Sequence, residues 1–362
     1  MSQKIFRLFL CLCLALTITT AISAQESAKP RNIIMMIGDG MGIAHITATE
    51  FEHKELNLRR FKKLGLQTTT SASDFVTDSA AAGTVLATGV KTKNGAIGQD
   101  VDGNPLKNVV EYAEEAGKKT GLVVTSSINH ATPAAFSTHV ESRHHYNDII
   151  EQQVNSDIDV MIGGGFSNLI PQFMPGSRRK DDKNLLFALR RKMPVIQTIE
   201  GFRHLGTPDQ LAAILDYSHL PRASKRDYTL GELTSKAIEI LDQGDNGFFL
   251  MIEGSQIDLA AHKNDYAEIL SETLDFDTAI KAAMDFAERD GNTLLIVTAD
   301  HETGGLTLTG GDLTTKKVKP HFASDYHSAG MVGVFSYGPG SDNFIGIFDN
   351  THIGKTLIEL VK

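Results

Sequence analysis

The stretch NIIMMIGDGMG, residues 32–42, is a short unbroken apolar run that stops on a glycine, an acid and another glycine. Apolar residues at successive positions, without polar alternation, predict a buried strand over Ile33–Ile37. Similar runs recur at Gly121–Thr125, Val160–Ile162, Phe248–Ile252, Leu294–Thr298 and Val332–Tyr337. Between them, Leu106–Ala116, Leu230–Leu241, Tyr266–Glu288 and Ile353–Leu360 carry helical periodicity. Alternation of this kind predicts an α/β fold: a mostly parallel central sheet with helices on both faces. No repeat, low-complexity tract or linker divides the chain, so residues 25–362 are expected to form a single domain. The least regular region, residues 165–230, is expected to run over the surface.

The first residues predict a compartment. Lys4 and Arg7 precede an apolar run from Leu8 to Ile22, with small residues at Ser23 and Ala24. This pattern predicts a signal peptide over residues 1–24 and a periplasmic or secreted protein. The run carries Thr17, Thr19 and Thr20 and is barely long enough to span, which argues against a membrane anchor. Cys11 and Cys13, the only cysteines, both lie inside it. The mature chain would then have no disulfide, no thiol nucleophile and no cysteine metal site. Losing Lys4 and Arg7 takes the formal charge from -9 to -11, which excludes a nucleic-acid binder on charge. The patches Arg178-Arg179-Lys180 and Arg190-Arg191-Lys192 are short, with Asp181 and Asp182 close by, and read as solvated helix faces.

In open α/β sheets ligands gather beyond the carboxyl ends of the strands. The first predicted strand runs into Asp39 among glycines that allow a sharp turn and a close approach to a ligand. The strand at Leu294 runs into Asp300-His301. The strand at Phe248 runs into Glu253, followed by Asp258 and His262, whose spacing of four puts them on one helix face. Singly, these are a turn residue, a cap and a surface pair. Together they form an oxygen and nitrogen donor set without sulfur, which suits zinc with magnesium and excludes iron–sulfur chemistry. Two cations about 4 Å apart can clamp the attacking and leaving oxygens of a phosphoryl transfer. A further stretch, VTDSAAAGTVLATG (76–89), sets Asp78 and Ser79 ahead of small residues. It fits close helix packing, and it equally fits a serine at the positive end of a helix, where anions collect.

At this point the sequence resembles a family. VTDSAAAGTVLATGVKTKNGAIG is similar to the nucleophile segment of the alkaline phosphatases. MMIGDGMG, HATPAAFSTHVESR, EGSQIDLAAH, VTADHETGG and HSAGMVGVFSYGP resemble the family's other site segments, in the family's order, between about residues 31 and 350. The resemblance implies a phosphomonoesterase acting through a phosphoserine on Ser79, with Arg143 gripping the phosphate. It implies one zinc site from Asp258, His262 and His327, and a second from Asp39, Asp300 and His301 completed by the Ser79 oxygen. It implies a magnesium site from Asp39, Thr132 and Glu253, with His130 beside it at a position some members fill with aspartate. Small-molecule phosphate monoesters would be the substrates, and a homodimer the assembly. A zinc-bound serine oxygen would answer how Ser79 is ionised in a chain with no evident serine–histidine–aspartate order. The competing functions are a phosphodiesterase or sulfatase relative, and a catalytically silent metal- or phosphate-binding protein. Ser79 is followed by Ala80-Ala81-Ala82-Gly83, which departs from the sulfatase pattern.

Some positions depart from the family. Leu259 follows Asp258, where other members carry lysine, histidine or tryptophan, which puts phosphate affinity and magnesium preference in question. Only 25 residues separate His301 from His327, too few for the added surface domain of larger members. His144 and His145 are expected to face solvent or cap a helix. His327 is preferred to His321 as the ligand for its spacing to Tyr337-Gly338-Pro339, and His45, His53, His139, His204, His219 and His352 have no assigned role. Gly163-Gly164-Gly165 reads as a strand-end turn, since no phosphate-loop lysine follows.

Overall fold

The computed structural model describes residues 29–53 and 55–362, so the expected signal peptide and both cysteines lie outside the described residues. The strands, in chain order, are β1 (Asn32–Gly38), β2 (Lys63–Thr68), β3 (Lys119–Ser127), β4 (Val160–Gly164), β5 (Val195–Ile196), β6 (Leu211–Ile214) and β7 (Phe248–Gly254). They continue as β8 (Thr293–Thr298), β9 (Glu302–Thr303), β10 (Leu306–Asp312), β11 (Lys317–Phe322), β12 (His327–Ser328), β13 (Val332–Tyr337) and β14 (Gly346–Asp349). Ten of them form one sheet in the order β14-β2-β13-β8-β1-β7-β3-β4-β6-β5. All run parallel except β13, which is antiparallel to both β2 and β8. The expected mostly parallel sheet is therefore present.

Strand β1 is buried at every position because helices cover both sides of it. Its side chains alternate between two cores. Ile34 and Met36 pack with Leu233 and Leu241 of the helix Leu230–Leu241 and with Ile280 and Met284 of the helix Tyr266–Asp290. Ile33, Met35 and Ile37 pack on the other side, with Val110 of the helix Val109–Glu115 and Leu357 of the helix Thr351–Val361. Every helix predicted from periodicity is present, within three residues at each end. Among the described residues no helix is long and apolar enough to cross a membrane.

The region 165–230 differs from its expected surface course. It contributes β6, whose four residues are all buried against β4, and β5 beside it at the sheet edge. Leu-Ala-Ala-Ile carries little strand propensity of its own, and its burial comes from pairing across the sheet. The 25 residues between His301 and His327 fold mainly into the antiparallel hairpin β10–β11.

Register is what assembles the site. Ile37 of β1 lies beside Glu253 of β7 on one side and Thr298 of β8 on the other. Asp39, Glu253 and Asp300 therefore emerge at neighbouring strand ends, and Thr132 and His130 follow the adjacent end of β3.

Candidate active site

The helix Ser79–Thr88 begins where the chain reaches these strand ends. Asp78 caps it, its Oδ1 accepting from the Ala81 N–H at 3.0 Å, and every helical residue is buried. A Cβ on Gly83 would stand 3.1 Å from the Ala135 Cβ, and one on Gly354 would stand 2.3 Å from the Gly89 nitrogen. The small residues of this stretch thus have a packing reason. The same cap puts Ser79 in the first turn, at the positive end of the helix.

Three donor groups converge around Ser79, the candidate ligand atoms of each lying within 4.8 Å of one another. The first is Asp258, His262 and His327, the second Asp39, Asp300 and His301, and the third Asp39, Glu253 and His130. His327 Nε2 is 3.2 Å from His262 Nε2 and 3.6 Å from Asp258 Oδ1. Each of these two rings turns its Nδ1 to a backbone carbonyl, Asp325 at 2.7 Å and Thr77 at 2.8 Å. Those bonds fix Nδ1 as the donor in each ring and aim both Nε2 atoms at one place beside a carboxylate, so His327 offers a lone pair there and His262 offers one once its Nε2 proton is displaced, an arrangement that fits a cation. In the second group His301 Nε2 is 3.1 Å from Asp300 Oδ2, 3.7 Å from Asp39 Oδ1 and 3.3 Å from Ser79 Oγ. Both Asp39 oxygens, Asp300 Oδ2, Glu253 Oε1, Thr132 Oγ1 and His130 Nδ1 are buried without a hydrogen-bond partner. Six orphaned donors or acceptors at two groups that share Asp39 are costly unless something else satisfies them. The residues present fit divalent cations.

Charge points the same way. Asp39, Glu253, Asp258 and Asp300 are all buried. Burial, and then the charges of Asp300, Asp258 and Glu253, push the Asp39 carboxyl well above its usual range. Burial pushes Glu253 up to about 7. The Asp258 carboxylate raises His262 to about 8, so a cation at that nitrogen displaces a proton below that pH. Burial, followed by the charge of His301, lowers His327 to about 4, and burial with Arg143 lowers His130 to about 3. Both rings are thereby neutral at physiological pH, the state in which an imidazole can take a cation.

Arg143 lies across the cleft from these groups, its Nη1 held by Asp78 Oδ2 at 3.0 Å. Asp78 thereby serves twice, as helix cap and as a partner that orients the guanidinium. The open cleft, about 300 Å³, is lined by Ser79, Arg143, His130, Asp258, His262 and His327 together with His144, Tyr146, Leu259 and Tyr326. Leu259 therefore puts apolar surface where a substrate enters. The structure brings Asp39, Glu253, Asp258, His262, Asp300, His301 and His327 together in these donor groups with Ser79 and Arg143 on the cleft, and His130, expected beside the magnesium ligands, is itself a member of the third group. Thr303 and Tyr326 escaped sequence reading. Thr303 Oγ1 donates to Asp258 Oδ1 at 2.6 Å and contacts His301 Nδ1 at 3.3 Å, and Tyr326 stacks on His327 with ring centres 4.4 Å apart. Thr303 stands within the VTADHETGG motif, two residues past His301, which was the available signal.

The other histidines lie elsewhere or do structural work. His321 is exposed on β11, opposite Thr307. His45 Nδ1 accepts the Gly42 N–H at 3.1 Å, and His139 bridges the Gly98 carbonyl and Glu111. His145 is the N-cap residue of the helix Tyr146–Asn155, while His144 is exposed beside the cleft.

Comparison with known proteins adds a lineage to this geometry. The family profile described as alkaline phosphatase matches residues 30–321. Alkaline phosphatase 4 of Bacillus subtilis is 40% identical over 78% of this chain, and the chain spans 64% of that relative's length. Escherichia coli alkaline phosphatase is 30% identical, with 94% of this chain and 88% of the relative covered. The alkaline phosphatase structure from the Antarctic bacterium TAB5 superposes with a TM-score of 0.85 at 38% identity, covering 92% of this chain and 98% of that one. The Thermus thermophilus alkaline phosphatase structure gives 0.84 at 26% identity, covering 92% and 91%. A profile match over most of the chain, with relatives of this identity and coverage on the same fold, means that the chain belongs to the alkaline phosphatase family.

Proposed function

We propose that the chain hydrolyses phosphate monoesters in two steps, through a phosphoserine on Ser79, with two zinc ions and one magnesium ion as cofactors. The observation that carries this reading is the placement of Ser79 Oγ, 3.3 Å from His301 Nε2, between the buried donor groups and Arg143. In this reading Asp258, His262 and His327 hold one zinc, and Asp39, Asp300 and His301 the other. Asp39, Thr132 and Glu253 hold magnesium, with His130 beside them. When bound, these ions supply Lewis-acid stabilisation of charge developing on oxygen.

The chain's own residues orient and bind. Ser79 Oγ, its proton lost to solvent, forms a bond to phosphorus as the ester P–O bond breaks, and the departing alkoxide takes up a proton. Water then attacks phosphorus, the Ser79 Oγ–P bond breaks, and phosphate leaves as Ser79 is reprotonated. Arg143, kept in orientation by Asp78, offers a fork matched to two phosphate oxygens. The first turn of the helix Ser79–Thr88 favours the same negative charge. Export to the periplasm or medium belongs to this proposal and rests on residues 1–24.

Initial rates on p-nitrophenyl phosphate and bis-p-nitrophenyl phosphate at alkaline pH test the reading. The monoester is expected to react far faster, activity to vanish on chelation, and zinc with magnesium to restore it better than either ion alone. Comparable rates on the two esters, or full activity in a preparation shown to hold no zinc, would overturn it.

A further inference from the structure

A second cavity of about 520 Å³ adjoins the Ser79 cleft and has no part in the assignments above. The two share His144 and Tyr146 along a common wall. His130 of the first also meets His219 of the second edge to face, with ring centres 5.5 Å apart. An alcohol leaving from phosphorus at Ser79 has this cavity within its neighbourhood.

The cavity is lined in part by Arg178 and Lys180 of the run Arg178-Arg179-Lys180, and here the expected helix face is absent: the three residues lie outside any helix or strand. Arg179 is buried, its guanidinium bound by both Asp181 oxygens at 2.7 Å and by the Asn168 carbonyl at 3.1 Å. With Arg179 turned inward, its neighbours Arg178 and Lys180 are exposed and both line the cavity. Among the described residues neither side chain has a carboxylate partner within 4.0 Å, and the Arg178 guanidinium donates to Ser218 Oγ at 3.3 Å. The carboxylate of Asp148, also on the wall, lies 3.9 Å from His145 Nδ1. His219 Nδ1 accepts the Ser127 N–H at 3.1 Å, which leaves its Nε2 carrying the ring proton as a further donor. In a chain of net charge -9, two unpaired cations and a fixed imidazole donor around a concave wall form a local anion site.

We propose that this cavity is a leaving-group subsite that takes a second phosphate, so that the enzyme prefers monoesters whose alcohol itself carries a phosphate. The inference rests on the monoesterase reading. Arg178 supplies a fork and Lys180 a point charge, which together match a phosphate dianion. Against these two cations the wall carries one carboxylate, Asp148, so a net positive charge remains.

The test compares fructose 1,6-bisphosphate, fructose 6-phosphate and p-nitrophenyl phosphate on the wild type and on the double variants Arg178→Ala/Lys180→Ala and Arg178→Gln/Lys180→Gln. Arg179, which anchors the segment, is left intact, and the thermal midpoint checks the fold of each variant. The wild type is expected to favour the bisphosphate over the monophosphate in kcat/KM, a preference eroded by salt. Both variants are expected to lose about tenfold on the bisphosphate, through KM, and less than about twofold on p-nitrophenyl phosphate. Arg178→Glu/Lys180→Glu should depress the bisphosphate further. An unchanged bisphosphate preference in the variants, or equal losses on all three substrates, would overturn the subsite alone. Failure of the wild type to hydrolyse p-nitrophenyl phosphate would instead remove the monoesterase reading, and the subsite with it.

Discussion

Replacing Asp39 by asparagine should stabilise the chelated protein and destabilise the metal-loaded one. Asp39 is fully buried, neither oxygen has a hydrogen-bond partner, and Glu253, Asp258 and Asp300 crowd it with like charge. Without cations the carboxyl either bears a charge against desolvation and repulsion or takes up a proton to avoid it, and each costs stability at neutral pH. Asparagine keeps the shape, removes the charge, and places an N–H donor near the orphaned Asp300 Oδ2 and Glu253 Oε1. An uncompensated buried charge costs roughly 3–5 kcal/mol, so allowing for relaxation the chelated variant should gain about 2–4 kcal/mol. At about 2 °C per kcal/mol for a chain of this size, that is roughly 4–8 °C in Tm. Zinc and magnesium should reverse the order, because in the proposed reading they bind only the folded state and Asp39 belongs to two donor groups. Differential scanning calorimetry with chelator, and then with both metals, should show the two proteins exchanging rank. A variant that melts lower than the wild type under both conditions would refute the charge argument. Equal metal-induced shifts in the two proteins would refute the role of Asp39 as a shared ligand.

Arg143→Ala removes the charge-assisted fork onto phosphate, worth roughly 3–4 kcal/mol, and kcat/KM for p-nitrophenyl phosphate should fall by about 10²–10³ with weaker inhibition by inorganic phosphate. Steady-state kinetics within threefold of wild type would count against that role. Glu272, buried in the helix Tyr266–Asp290, is pushed by burial up to about 7, against the pull of Arg226. An acid whose folded pKa lies above its unfolded value near 4.5 holds its proton more tightly when folded, so stability is fullest below pH 4.5 and is lost as pH rises through 7. Glu272→Gln should flatten urea-melt stability across that window and gain about 1–2 kcal/mol at pH 8; a variant that retains the wild-type slope would contradict this.

Much of this was legible because strand ends are local. Asp39, Glu253 and Asp300 each follow a run that declares itself apolar, and parallel pairing then forces their convergence. Less was legible where pairing overrides local preference. The Leu-Ala-Ala-Ile strand β6 and the glycine-containing β2 carry weak strand signals and exist because neighbours offer hydrogen bonds. Contacts distant in sequence were equally hidden, such as Asp78 with Arg143, 65 residues apart, and His130 against His219. Arg178-Arg179-Lys180 misled because a charge run resembles a solvated helix face, whereas buried Arg179, paired with the part-exposed Asp181, holds it as irregular chain with its outer members at a cavity.

The role of Ser79 is open to direct measurement by quenching turnover of a ³²P-labelled monoester in acid and mapping the labelled peptide. Acid protonates the donor groups around the site and strands any covalent phosphate before water reaches it. The label is expected on Ser79. Ser79→Ala should lose the label while retaining zinc and magnesium by elemental analysis, and should keep only a small residual rate from Arg143 and the ions. Label on another serine or threonine, or a Ser79→Ala enzyme with wild-type turnover, would contradict the account.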